Sequence, residues 1–258
     1  MNIINISLQH VQIFLLIFLR VTSIIIFIPI FDNKNIPVII KAGLSFSISI
    51  ILFPFLDIKP SDCFTGTFSF VIGVCSEILL GVIIGLSAKM IFAGIQLAGQ
   101  MAGIQMGLGL DKVFDPNLNT QISSISQFGN LFAILIFLTI NAHHWFLKAI
   151  LESFKLVPPF GFQFSTSVMN ILITLSTKMF IVSIKVGAPV MAALLLTSVA
   201  FGLIARTAPQ MHIMIVPLPL KIFVGLLTLG LILPFLASFF VQIFNGLGKE
   251  IFLLLHAM

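Results

Sequence analysis

The chain has 258 residues, of which 59% are apolar and only 8% charged, with a formal net charge of +5 and a mean hydropathy of +1.21. Ordinary soluble domains carry about 25% charged residues, so the charged side chains here cannot furnish a polar shell for a chain of this length. A soluble enzyme, a disordered protein and a basic nucleic-acid binder are thereby excluded, and a polytopic helical membrane protein is left. The Lys and Arg residues are scattered rather than clustered, and nucleic acid is not an expected partner.

In chain order, the ten residues before the first apolar run contain no Lys or Arg, and no cleavable signal peptide is expected. Six apolar stretches follow, at about 11–31, 36–56, 64–110, 122–151, 168–205 and 218–255. A bilayer core of about 30 Å needs about 20 helical residues, and the first two stretches have that length. The third would be ~70 Å long as one straight helix, so it is expected to break, to re-enter or to project beyond the membrane. The fifth and sixth carry Pro189 and Pro234 inside them, and an internal proline usually kinks a helix. Long, bent helices stacked on other subunits account for these lengths better than simple spans do. Lys and Arg divide almost evenly between odd and even connections, which leaves orientation open. Cys63 and Cys75 fit neither a paired metal motif nor a disulfide framework.

Charges inside the apolar stretches need partners. Arg20 lies near the middle of the first stretch, where a central Arg costs about 2.5–3.5 kcal/mol on the insertion scale and each Leu, Ile, Phe or Val returns about 0.3–0.6. Its candidate partners are Glu77, the only acid deep in the third stretch, and a neighbouring subunit. The role is either a structural ion pair or a functional polar site. Arg206 and Gln210 complete the set of polar or charged residues expected at membrane depth. Lys178 and Lys185, seven residues apart and on one helix face, point to an aqueous lumen, a lipid-headgroup level or an acidic partner. Gly81 and Gly85 form a four-residue glycine pair, and Gly99, Gly103 and Gly107 form a tandem. That spacing puts each pair on one face and lets helix backbones approach closely.

No phosphate-binding loop, zinc-protease helix motif or nucleophile elbow is present, so no catalytic residue, cofactor or metal is expected. His143 and His144 are adjacent, lack an accompanying acid or Cys, and read best as an interfacial cluster beside Trp145.

The segment 106–120 has a composition of its own. Gly107 and Gly109 are placed to end the preceding helix, and Asp115-Pro116 makes a second turn. Between them Met106, Leu108, Leu110, Val113 and Phe114 form a surface too apolar for a freely solvated loop. A gate or plug in a channel is one reading, since apolar side chains can seal a pore and repack when they move aside. An ordinary external connection is the other.

Three stretches carry a family resemblance. They are residues 98–109 (AGQMAGIQMGLG) with Asp115-Pro116 and Gln121, residues 141–147 (NAHHWFL) through Ser153-Phe154 and Pro158, and residues 202–211 (GLIARTAPQM) followed by residues 217–221 (PLPLK) and Gly225. Together they resemble the flagellar biosynthetic protein FliR family and, more distantly, the matching subunits of virulence type III secretion systems. Ser198 and His212 stand where that family favours Asn. The resemblance runs the length of the chain. It implies a non-enzymatic channel subunit of the flagellar type III export gate, in the bacterial inner membrane at the flagellar basal body. The implied partners are FliP-like and FliQ-like subunits, an FlhB-like subunit, the lipid membrane and unfolded exported proteins. It also implies an all-α fold with a FliP-like helical part over 1–160, a plug-forming loop near 106–120, and a FliQ-like hairpin over 161–258 that turns near 206–219. The alternatives are the virulence counterpart and a stand-alone transporter or channel, which would show an internal repeat and a midplane site.

Overall fold

The computed structural model describes residues 8–31, 36–56, 67–108, 123–162, 164–207 and 217–258. The secondary structure of these residues is entirely helical. The elements are α1 (Leu8–Phe27), α2 (Val38–Leu52, continued by a single 3-10 turn Phe53–Phe55), α3 (Thr67–Met106), α4 (Ser124–Thr139), α5 (His143–Leu156), α6 (Thr166–Thr207) and α7 (Pro217–Ala257). Five of these helices are long and apolar enough to cross a membrane, and α4 with α5 makes a sixth if the bent pair is one span. The protein is an all-helical, polytopic membrane protein.

Of the three alternatives for the third apolar stretch the break is not taken, and the fourth stretch differs from its sequence expectation. The third does not break: α3 is one helix of 40 residues, ~60 Å long and about twice the bilayer core. No proline interrupts its hydrogen-bond ladder. The fourth does break. α4 and α5 meet at 68°, and Asn141 between them has φ 55°, a left-handed conformation that Asn tolerates better than most residues. α5 is also amphipathic, with Phe146, Ala149, Ile150, Ser153 and Phe154 buried and Lys148 and Lys155 exposed. Pro189 and Pro234 lie within α6 and α7, which run on as helices through them.

The chain forms two compact units. One comprises Met1–Met90, Asn141–Leu175 and Asn245–Met258; the other comprises Ile91–Ile140 and Ser176–Phe244. In the first unit α1 and α3 run parallel and cross closely at glycines. A Cβ on Gly81 would lie 2.5 Å from Ser23 Cβ and 2.9 Å from the Arg20 carbonyl oxygen, and one on Gly85 would collide with Phe27 Cβ. Leu16, Ile17, Ile24, Leu80 and Ile84 are fully buried there. α2 leans on α1 through Phe14, whose ring lies 5.5 Å from Phe46 and 6.1 Å from Phe53. Its buried residues are Ser45, Ser49 and Leu52, and each serine hydroxyl is returned to a carbonyl one turn back in the same helix. Ser165 caps α6: its Oγ accepts from the Val168 N–H (3.2 Å) and donates to the Ala257 carbonyl at the end of α7 (2.8 Å). Beneath this clasp Ile83, Val168, Leu175 and Leu254 form a cluster.

In the second unit Phe92, Phe137 and Phe244 interlock, with ring centroids 5.2 to 5.7 Å apart. Gly94 faces the Met179 carbonyl on α6, at 2.5 Å from an added Cβ. A second cluster joins Ala102, Met106, Ile125, Val190 and Leu194, with Ile222, Leu229 and Ile232 of α7 packed against it.

Candidate functional site

Arg20 is the thirteenth of the twenty residues of α1 and is fully buried, as is Glu77. Of its two candidate partners, Glu77 is the one against it. Arg20 Nη2 donates to Glu77 Oε1 at 2.8 Å, and Nε donates to Oε2 of the same carboxylate. This is the parallel two-bond geometry that makes Arg–carboxylate pairs strong. Nη1 donates to the backbone carbonyls of Ser153 (3.0 Å) and Val157 (2.9 Å). The Phe154 ring centroid lies 4.1 Å from the guanidinium carbon. All three guanidinium nitrogens are therefore engaged.

The elements explain the convergence. Glu77 precedes Gly81 by one helical turn, so the carboxylate and the glycine that admits α1 share a face of α3. The Ser153 carbonyl already accepts the Val157 N–H at 2.9 Å, and Arg20 adds a second bond to it, a bond to the Val157 carbonyl just past the helix, and positive charge at that end of α5. One side chain thus joins α1, α3 and the C-terminal turn of α5. Immediately beyond, Gly161 N–H closes a turn on the Pro158 carbonyl at 2.9 Å. Pro159 followed by Phe160 at φ 68° is a type II signature with Phe where glycine is favoured. The Phe160 ring lies over Gly73 so closely that a Cβ there would collide with it.

The root of the 106–120 segment is equally defined. Gly107, at φ 85°, ends α3 in a Schellman arrangement: Gly107 N–H bonds the Ile104 carbonyl and Leu108 N–H the Gly103 carbonyl, both at 3.0 Å. Met106 is fully buried, and its side chain fills the space over Gly225 of α7. Gly109, Leu110, Val113, Phe114, Asp115 and Pro116 lie outside the described residues. Gly99 and Gly103 meet α4 and its leading residue: a Cβ on Gly99 would lie 2.5 Å from Ser126 Cα, and one on Gly103 would collide with Ser123 Oγ. The Ser126 hydroxyl donates to the Gln96 carbonyl at 2.8 Å across the same seam.

Arg206 is exposed in the last turn of α6; Gln210 and His212 lie outside the described residues. Ser198 is half-buried and bonds its own helix at the Leu194 carbonyl. The His143 and His144 rings lie 4.3 Å apart, and Trp145 packs over Gly248, 3.2 Å from an added Cβ. Among the described residues no three His, Cys, Asp or Glu side chains gather as a metal site. Sequence reasoning missed Ser153, Phe154 and Val157 around Arg20. Ser153 and Phe154 stand in one of the stretches that carry the family resemblance, so a signal was present without its meaning.

The family described as bacterial export proteins, family 1, matches residues 11–247. Among curated relatives, flagellar biosynthetic protein FliR of Bacillus subtilis is 34% identical over 222 residues, covering 84% of each chain. FliR of Pectobacterium carotovorum is 32% identical over 231 residues, covering 88% of this chain and 87% of its own. FliR of Escherichia coli is 29% identical over 237 residues and covers 90% of both.

Proposed function

The chain belongs to the bacterial export proteins of family 1, the FliR family, and we propose on that premise that it is a non-enzymatic channel subunit of the flagellar type III export gate. It works in the bacterial inner membrane at the flagellar basal body, assembled with FliP-like, FliQ-like and FlhB-like subunits, and passes unfolded export substrates.

The observation that carries the assembly is the length of two exposed apolar faces. On α6, exposed large apolar side chains run from Met169 to Ile204, and on α7 from Leu220 to Leu253, about 53 and 50 Å of helix. Fitting either face into a core of about 30 Å requires a tilt above about 50°, outside the 0–40° that spanning helices adopt. Lipid alone cannot cover these faces, and neighbouring protein chains can. A polar passage has support in α5. Lys148, Glu152 and Lys155 share one face of it, with Lys148 and Lys155 exposed, and Arg20 holds its end level with the middle of α1. Charges at that level need water or protein beside them.

The division into a FliP-like part (1–160) and a FliQ-like hairpin (161–258) is part of this reading. The pairing of α6 with α7, clasped at Ser165 and Ala257, supports the hairpin. The 106–120 segment acts as the plug, rooted by Met106, Gly107 and Leu108, with Leu110, Val113 and Phe114 as sealing side chains. The assembly is tested by production alone and together with FliP-like and FliQ-like chains. The chain alone is expected to aggregate in mild detergent and to survive in the co-produced complex; a cooperatively melting solo monomer would overturn the reading. For the plug, deleting residues 110–114 is expected to raise the ion conductance of the reconstituted complex. Normal sealing by a correctly assembled deletion variant would refute it.

A further inference from the structure

The second unit contains a groove that neither the ion pair nor the loop explains. It runs between α3, α4, α6 and α7, and its floor is built from small residues, among them Ala98, Gly99, Gly129 and Gly187. No charged or polar side chain lines it. Its enclosed volume is small, ≈ 40 Å³, and most of the space along it lies open on one side. It is long. On α7 its lining runs from Leu229 to Phe240, about 16 Å of helix. One leaflet of a bilayer core of about 30 Å has nearly that thickness, which is the reach of one extended acyl chain.

The two ends of the groove differ. At one end Leu229 and Val190 continue into the apolar cluster around Met106. At the other, the exposed Lys185 places its ammonium 5.8 Å from the Phe239 ring. Phe239 stands next to Phe240 on α7, and Lys185 next to Val186 on α6, both of which line the groove. A cation thus marks one end of an otherwise apolar channel the length of a leaflet. The ligand that matches both features is an amphiphile with a single-leaflet chain and a negative head. We propose that this groove binds one acyl chain of an anionic phospholipid, with the phosphate held at Lys185. A zwitterionic lipid satisfies the groove without the cation. An apolar side chain from a partner helix fills only part of the length and leaves Lys185 unused. The chain lies along the groove, since the enclosed volume is too small to engulf it.

The test rests on the proposed function only for the partner chains that keep this chain folded: yield of the complex reports on that reading, and labelling of this chain's own peptides reports on the groove. The full chain, co-purified with its partner chains, is reconstituted in phosphatidylcholine vesicles doped with phosphatidylglycerol or phosphatidylcholine that carries a photoactivatable diazirine on the acyl chain. Labelled peptides are then mapped, with the exposed face of α2 at Ile39 and Ile40 (83% and 57% exposed) as the internal reference for general lipid contact. Peptides containing Phe128–Phe132 and Leu229–Leu236 are expected to label more strongly than α2, with phosphatidylglycerol favoured roughly fivefold, the factor that one lysine contributes toward an anionic lipid. Two variants separate chain from head. A Cβ on Gly129 meets only Ile95, at 3.7 Å, so Gly129→Leu fits the backbone and fills the groove; it is expected to abolish groove labelling and leave α2 labelling unchanged. Lys185→Gln, at an exposed position that leaves folding intact, is expected to retain groove labelling and remove the preference. Groove labelling no stronger than that of α2, as when a partner side chain fills the groove, overturns the proposal. So does equal labelling by the two lipids in the unmodified chain, or labelling that Gly129→Leu does not reduce.

Discussion

Replacing Arg20 by Met strips Glu77 of its cation while leaving the carboxylate buried, and removing Glu77 alone strands the guanidinium. Breaking a buried pair from one side costs about 3–5 kcal/mol, whereas replacing both partners by apolar residues is often close to neutral. Arg20→Met and Glu77→Leu are therefore each expected to lower the thermal stability and yield of the purified complex sharply. The double variant should lose far less than the sum of the two, and strictly additive losses would mean that the residues do not act as a unit. Arg20→Lys should fall between, because a single ammonium cannot serve both carboxylate oxygens and the Ser153 and Val157 carbonyls at once. Glu77 was legible in the sequence as the only acid deep in its stretch. The carbonyls that complete the site were not, since every residue carries one and only the fold selects which two end at Arg20. The left-handed Phe160 was hidden for a related reason: Pro158-Pro159 announces a turn, but nothing in a Phe announces a positive φ.

Among elements, the four-residue glycine spacing of α3 carried the most reliable signal, because close helix approach depends on a missing side chain and that can be read directly. It indicated close packing without naming the neighbours. Gly81 and Gly85 admit α1, and Gly99 and Gly103 admit the α4 segment. Gly103→Leu forces that segment away, and overpacking typically costs about 1–3 kcal/mol. Gly202, with nothing within 4 Å of an added Cβ, is the comparison. Native gels of the co-produced complex are expected to show reduced yield for Gly103→Leu and less reduction for Gly202→Leu. Equal yields would mean that the seam at Ser123 yields freely. The approximate limits of the apolar runs were also legible, because run length dominates them. The unbroken α3 was legible only as one of three alternatives: a stretch longer than the bilayer core can break, re-enter or project beyond it, and run length alone does not choose among them. The break at Asn141 lay far from any Pro or Gly, since the one glycine of that run, Gly129, stands twelve residues earlier. The clue was the spacing of Lys148, Glu152 and Lys155, which gives α5 a polar face that α4 lacks.

For the whole molecule, the long apolar faces of α6 and α7 decide between two environments that composition alone cannot separate. Ile173 and Leu203 lie on α6, 57% and 63% exposed, and thirty residues of helix put them ~45 Å apart. A hydrocarbon core of about 30 Å cannot shield both at any ordinary tilt. If lipid were the only cover, a cysteine at one of the two positions would always meet water. If partner chains continue the cover, both positions are shielded in the assembled gate, and one becomes accessible when the partners are withheld. The comparison is made in a background with Cys63 and Cys75 changed to Ser, with Ile173→Cys or Leu203→Cys introduced singly. Each variant is exposed to a membrane-impermeant maleimide in sealed and in permeabilised membranes, with denatured protein marking full reaction. Low labelling at both positions is expected from co-producing cells, and a marked rise at one of them from cells making this chain alone. Full labelling at either position within a complex of normal yield would place that end of α6 in water, and the apolar face there would need a cover other than the partner subunits.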